Sequence, residues 1–427
     1  MLKPDLQADL QAEFARRLTE LLDELAKCGA ERDGGVTRLL YTPSWLEAQR
    51  LLERRMAEAG LETRYDCVGN LFGRLTGRGP ESGVVLTGSH VDTVRRGGRY
   101  DGAYGIAASL VAVRYLRETF GPPLRPIEVV SFCEEEGSRF PIAYWGSGNV
   151  SGVFRAEQAD GFVDADGVSM REAMEECGFG RSDRSAEPPS ARRTDIAAFV
   201  EAHIEQGVTL ERFGERIGIV ETIAGQRRYV VTLSGETNHA GTTPMALRRD
   251  AMAGAAEMIQ FLERAALKAG EPLVATVGSI ACVPNVPNVI AGAVEFTLDI
   301  RHMSETMLTG FCDTVLSSFR TIAERRGLAF DVRTVLHTRP APMDPVLAGR
   351  LERICAERGI RYRRMMSGAG HDAQMFRSVC PTAMLFVPSR GGISHSPDEH
   401  TPPEDLALGT AVLAELLHEL AYGEKLP

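Results

Sequence analysis

Residues 84–105 constrain the fold of this chain more than any other stretch. Val84-Val85-Leu86-Thr87 is a short apolar run of the kind a buried parallel strand uses. It leads into Gly-Ser-His-Val-Asp-Thr-Val and then Arg-Arg-Gly-Gly-Arg-Tyr-Asp-Gly-Ala-Tyr-Gly. His90 and Asp92 therefore fall at the carboxyl end of a strand, where open α/β sheets place their ligands. Gly97, Gly98, Gly102 and Gly105 let the backbone turn sharply close to a site, and Asp101 lies inside that loop. Residues 106–120 carry Ala, Leu and Val on one stripe and are expected to form a helix. A strand-end His and a loop Asp followed by a helix can converge on one cation. Asp92 can hydrogen-bond the far nitrogen of His90 and fix its tautomer. The alternative is a glycine-rich turn with solvated side chains.

The same design recurs along the chain. Residues 125–132 form a second buried-type strand, ending in Cys133-Glu134-Glu135-Glu136. Three adjacent carboxylates at the end of an apolar strand are costly unless something positive sits nearby. One or two metal ions would meet that need; an acidic surface turn is the other reading. Adjacent strand residues face opposite ways, so Glu135 and Glu136 can hold different roles at one site. A strand at 197–207 delivers His203, and the buried run 382–387 feeds a loop that holds His395. Imidazole and carboxylate oxygen suit Zn²⁺, Mn²⁺, Co²⁺ or Ni²⁺. Five such groups (His90, Asp101, Glu136, His203 and His395) are too many for one open catalytic ion. They are about right for two ions sharing a carboxylate. His-Glu-x-x-His, Gly-x-Ser-x-Gly and phosphate-loop motifs are missing.

At 427 residues the chain is too long for one ordinary core. Helices are expected at 8–27 and 43–59, the second with Thr42 as cap and Pro43 at its first position. Strands are expected at 61–66 and 70–75. Residues 151–196 look polar and loop-like, with a break at 187–190. From 222 the pattern changes to strands at 229–234, 273–280, 294–300 and 330–335, with helices at 245–267 and 305–326. That order is the split βαβ, ferredoxin-like sandwich, expected as an inserted domain at 222–341. Residues 1–221 and 342–427 then form the α/β domain, closed by a helix at 403–422. The net charge of −10 gives no electrostatic footprint for nucleic acid or an anionic membrane. No stretch is apolar enough to span a bilayer, and the amphipathic start lacks the apolar core of a signal peptide. The eight cysteines include no Cys-x-x-Cys pair, so reduced thiols in a cytoplasmic protein are expected.

Six motifs together carry a resemblance: Gly-Ser-His-Val-Asp-Thr-Val, Glu-Glu-Glu-Gly-Ser-Arg-Phe, Glu-Ala-His-Ile-Glu-Gln-Gly, Asn-His-Ala-Gly-Thr-Thr-Pro-Met, Ser-Gly-Ala-Gly-His-Asp-Ala and Gly-Ile-Ser-His-Ser-Pro. Over about residues 40–420 the chain resembles the M20 family of dinuclear metallohydrolases, in its amidohydrolase branch. The resemblance implies a mixed-sheet α/β catalytic domain with an inserted lid and dimerisation domain, working as a homodimer. It implies that His90 and His203 hold one divalent ion, Glu136 and His395 the other, and that Asp101 bridges them. Glu135 is then the general base, and Asp92 orients His90. Asn288 and Arg301 match residues that bind a substrate carboxylate. Gln206 matches a substrate-contacting glutamine. His239 matches a substrate-polarising His supplied across the dimer. Ala291 departs from relatives, which commonly carry Pro there.

The activity implied is hydrolysis of a ureido C–N bond in a small anionic substrate. Residues 140–147, 225–229 and 340–343 are most similar to the allantoate-cleaving members. N-carbamoyl-L-amino acids and N-carbamoyl-β-alanine are the alternatives, as substrates of the carbamoyl-amino-acid hydrolases and β-ureidopropionases. A peptidase or deacylase of the wider family is more distant. So is a non-catalytic metal-dependent binding protein, which would be expected to lack the base or a ligand.

Overall fold

The computed structural model describes residues 4–79, 83–180 and 191–423. The break read at 187–190 lies outside them. The chain divides into two compact units. One is Met1–Glu221 with Met343–Met365 and His371–Pro427; the other is Thr222–Pro342 with Met366–Gly370.

The first unit opens with α1 (Pro4–Lys27) and α2 (Pro43–Glu58). Phe14, Leu18, Leu22 and Leu25 of α1 are fully buried, as their helical spacing demands. The Thr42 hydroxyl caps α2 by accepting from the Trp45 N–H, and Pro43 sits where its missing N–H costs nothing. Strands β1 (Glu62–Tyr65), β2 (Leu71–Leu75), β3 (Val84–His90), helix α3 (Ala103–Phe120) and β4 (Ile127–Phe132) follow. Next come α4 (Trp145–Ser151), a 3₁₀ turn at Ala156–Gly161, α5 (Met170–Glu176), β5 (Ile196–Ile204), α6 (Thr209–Phe213) and β6 (Ile217–Ile223). The stretch read as loop from 151 thus contains short helices. They hold because Trp145, Met170, Ala173 and Met174 bury themselves in the core, a tertiary effect too local for periodicity to report.

In the second unit β7 (Gly225–Ser234) is followed by α7 (Ala251–Ala269), β8 (Val274–Thr276), β9 (Ile280–Val283), β10 (Ala293–His302), α8 (Glu305–Arg325), β11 (Ala329–Thr338) and the short β12 (Ala341–Pro342). The sheet order is β11-β7-β10-β8, with β9 also on β10, and its pairs are antiparallel. Two expectations change here. Helix α7 starts at Ala251 rather than at 245, because the Asp250 carboxylate accepts from the Met252 and Ala253 N–H groups and caps it. The strand expected at 273–280 is split into β8 and β9, interrupted around Gly278.

The chain returns to the first unit with α9 (Pro345–Glu357), β13 (Tyr362–Ser367), α10 (Ala373–Phe376), β14 (Thr382–Val387) and α11 (Pro403–Tyr422). The large sheet runs β1-β2-β4-β3-β5-β14-β6. Its centre is parallel: β4 with β3, β3 with β5, and β5 with β14. β1, β2 and β6 join antiparallel, so the sheet is mixed. Helix α3 packs on β3, β4 and β5, and α1 and α11 pack on α3. The four parallel strands end side by side, which sets the place of the site. All eight cysteines are free thiols. Among the described residues no helix is long and apolar enough to cross a membrane.

Candidate metal centre

Four adjacent parallel strands deliver the candidate ligands at one edge. His90 ends β3, and His203 is the penultimate residue of β5. Glu135 and Glu136 follow β4, and His395 follows β14. Asp101 comes from the glycine-rich loop before α3. Gly102 caps that helix at φ +63, and a Cβ there would collide with the backbone and ring of His90. A residue with a side chain would push the helix start off the strand end.

Asp101 is the centre of the arrangement. Its Oδ1 lies 3.2 Å from His203 Nε2 and 3.4 Å from His90 Nε2. Its Oδ2 lies 3.1 Å from His395 Nε2, which in turn is 3.6 Å from Glu136 Oε1. The carboxylate therefore offers one oxygen to each of two clusters, His90–Asp101–His203 and Asp101–Glu136–His395. Ligand atoms held about 2.0–2.1 Å from one tetrahedral ion stand about 3.3 Å apart, which is the spacing seen here.

The tautomers agree with that reading. His203 Nδ1 faces the Ile204 carbonyl at 2.9 Å, and His90 Nδ1 faces the Asp92 carbonyl at 3.1 Å and Asp92 Oδ1 at 3.3 Å. Each Nδ1 must donate, so in a neutral ring each Nε2 turns a lone pair toward Asp101. The Gly102 N–H donates to His203 Nε2 at 3.2 Å, which requires that lone pair. Lone pairs converging on a carboxylate repel unless a cation sits among them. Glu136 Oε1 is buried without a hydrogen-bond partner, a further acceptor with nothing to accept from. The donor set thus fits divalent cations.

The electrostatics carry the same demand for positive charge. Burial works against a charged His90, but Asp101 and Asp92 outweigh it and hold the ring well above its ordinary pKa. Burial would likewise raise Asp101, yet His203, His395 and His90 hold it well below the usual carboxylate range. Asp101 pushes His395 up to about 9. Burial, then the Asp101 charge, push Glu136 up to about 8. Burial, with Asp92 beside it, raises Glu134, and burial first, with the neighbouring carboxylates, raises Glu135. Protons and divalent cations would compete for these same donors.

Asp92 does more than touch His90. Its Oδ1 accepts from the Glu135 N–H at 3.0 Å and its Oδ2 from the Glu136 N–H at 3.2 Å, so one carboxylate orients the β3 and β4 ends together. Gln206, at φ +56, donates through Nε2 to Asp101 Oδ2 (2.7 Å) and Ser394 Oγ (3.2 Å). Such left-handed backbone at a non-glycine residue is a strain marker, and His395 shares it at φ +55.

Four residues of this neighbourhood had no role in the sequence reading: Glu201, His371, Asp372 and Glu399. Glu201 is fully buried and accepts from Ser89 Oγ (2.7 Å) and the Ala373 N–H (2.9 Å). It forms a third cluster with His203 and His371. His203 already directs Nε2 toward Asp101 and Nδ1 toward Ile204, so this third cluster braces the site instead of opening another. His371 and Asp372 sit in the Gly-His-Asp-Ala motif and Glu201 opens Glu-Ala-His-Ile-Glu-Gln-Gly, the signals that could have found them; Glu399 had none.

The other three expected residues lie in the second unit. His239 and Asn288 are exposed on loops joined to each other: His239 bridges Val289, and the Ala240 N–H donates to the Asn288 carbonyl at 3.0 Å. Arg301 donates to both oxygens of Asp299 (2.8 and 3.1 Å) and to the Gly368 carbonyl (2.7 Å). Asp299 also pairs with Arg228 at 2.9 Å. One carboxylate between two guanidinium groups leaves the patch net positive, so Arg301 is positioned by Asp299 without being neutralised.

Residues 86–419 match the profile of Peptidase family M20/M25/M40. The chain is 48% identical to a protein of Bacillus subtilis (strain 168) named allantoate amidohydrolase, over 95% of this chain and 97% of that one. It is 45% identical to the Escherichia coli (strain K12) protein of the same name, over 96% and 98%. Among solved structures, an amidase of the hydantoinase/carbamoylase family from Burkholderia multivorans superposes with a TM-score of 0.91. The two are 36% identical, with 96% of this chain and 98% of that one covered.

Proposed function

The chain belongs to Peptidase family M20/M25/M40, and we propose that it is a metal-dependent amidohydrolase that cleaves a ureido C–N bond of allantoate. The observation that carries the chemistry is Asp101, with one oxygen facing His90 and His203 and the other facing His395. The substrate rests on the near full-length similarity to two allantoate amidohydrolases. In this reading His90, His203 and Asp101 hold one divalent ion, and Asp101, Glu136 and His395 hold a second; Mn²⁺, Zn²⁺, Co²⁺ and Ni²⁺ all suit the donors. Such ions supply Lewis-acid polarisation of the ureido carbonyl and acidify a water.

The chain's own groups do the rest. Ureido carbons are poor electrophiles, because both nitrogens donate into the carbonyl. Glu135 accepts the proton of the attacking water and returns one to the leaving nitrogen. Burial raises its pKa above the ordinary carboxylate range, the direction a group that must hold and return a proton needs. His239 of the partner subunit donates to the developing oxyanion. Arg301 grips the substrate carboxylate bidentately, Asn288 adds a neutral hydrogen bond and Gln206 contacts the substrate. The products are ureidoglycine, ammonia and carbon dioxide. The inserted unit serves as lid and homodimer surface, and the protein works in the cytoplasm.

A second reading, hydrolysis of N-carbamoyl-L-amino acids, is favoured by the hydantoinase/carbamoylase structure of nearly equal length. Substrate consumption by metal-reconstituted protein, with ammonia release for the ureido compounds, separates the two. The panel is allantoate, several N-carbamoyl-L-amino acids, N-carbamoyl-β-alanine and a dipeptide. Allantoate should give the highest kcat/KM; a carbamoyl amino acid turned over faster would replace the substrate assignment.

A further inference from the structure

Glu399 is nearly fully buried beside the site and is no part of either candidate ligand cluster. Its Oε1 accepts from two backbone N–H groups, Tyr100 at 2.8 Å and Asp101 at 3.1 Å. Its Oε2 accepts from Ser394 Oγ at 2.8 Å, next to His395. One side chain thus joins the loop that carries Asp101 to the loop that carries His395. The approach is tight: a Cβ on Gly98 would overlap the Glu399 carboxylate. That steric demand explains a glycine in the loop that chain reversal alone would not need. The His395 loop does not depend on Glu399 for its own closure. Arg390 N–H donates to the His400 carbonyl at 2.9 Å, and Thr401 Oγ1 donates to the Pro388 carbonyl at 2.8 Å. A buried carboxylate is costly, so it needs a task beyond closing a turn.

We propose that Glu399 is a positioning residue that sets the separation of His395 from Asp101, and with it the affinity of the second ion only. This inference rests on the two-ion reading above. His90 and His203 sit on β3 and β5, and Gly102 packs the Asp101 loop directly against His90, so the ion these three hold should be spared.

The test is Co²⁺ titration of the metal-stripped full-length protein, followed by metal content and by visible absorption, with far-ultraviolet circular dichroism to verify the fold. Wild type should bind two equivalents. In Glu399→Ala the second equivalent should weaken about 10–100-fold, the usual loss when a group that orients a ligand is removed, while the first is unchanged. Glu399→Gln keeps an oxygen for both N–H groups and an amide for Ser394, and should restore the second equivalent. Gly98→Ala should copy Glu399→Ala, and the double variant should be no worse than either single one. If Glu399→Ala does not fold, Glu399→Asp decides, since a shortened side chain keeps the charge but cannot span both loops. Wild-type affinity for both ions in Glu399→Ala or Glu399→Asp overturns the proposal, as does equal weakening of both ions. A wild-type protein that binds fewer than two equivalents overturns the two-ion reading itself.

Discussion

Glu135 and Glu136 are neighbours on one loop, held by the two oxygens of Asp92, yet they face different tasks. Glu135→Gln should keep the ions and the fold and lose about 10²–10⁴-fold in turnover, the usual contribution of proton transfer. Glu136→Gln should instead weaken one ion. Equal metal loss in both variants would mean the pair is misassigned. Competition between protons and ions for the same donors gives a pH test. His395 at about 9 and Glu136 at about 8 are both protonated at pH 7, and ion binding must displace those protons. Ion affinity should therefore rise from pH 7 to 9, with proton release visible when calorimetry is repeated in buffers of different ionisation heat. Affinity that is flat across this range would contradict that competition. At this scale the sequence was readable where a His, Asp or Glu followed an apolar strand. It marked Glu201 only as part of a motif and was silent for Glu399, whose task depends on which loops the fold brings together.

At the level of elements, four parallel strands ending side by side explain why ligands far apart in sequence meet at Asp101. Apolar runs followed by glycine or acidic loops made those strands legible. The start of α7 was not, because 245–250 has helix-compatible composition and the Asp250 cap decides the boundary. The short helices α4 and α5 were hidden for a similar reason, since burial of Trp145 and Met170 holds them. One buried charge ties the far end of the sheet. Glu128 on β4 is fully buried and accepts from Arg193 (2.6 Å), Arg74 (2.9 Å) and Arg64 (3.2 Å). Glu128→Ala should cost about 3 kcal/mol, the low end for a broken buried pair because Arg64 and Arg74 keep some solvent. Urea denaturation reads this directly, and a loss below about 1 kcal/mol would make the network an ordinary surface one.

For the whole molecule, the proposed function requires a substrate-polarising His239 from the partner subunit. His239→Ala should be inactive alone, and Glu135→Gln should keep only residual turnover. Verified subunit exchange between the two should restore some activity, since one site of the heterodimer then has an intact base and an intact partner-supplied His239. No recovery in verified heterodimers would return His239 to its own subunit or remove it from catalysis. The family was legible because its motifs coincide with the strand ends, and the matching profile spans residues 86–419. The narrower choice of substrate was carried by short stretches such as 140–147, whose individual residues mark chemistry only weakly. The central claim is that Asp101 joins two ions in one site, and metal content measures it most directly. Wild-type protein dialysed against trace Mn²⁺ or Zn²⁺ should hold two ions per chain. Folded Asp101→Ala should hold neither tightly; if it retains two ions per chain at wild-type affinity, the shared-carboxylate centre is contradicted.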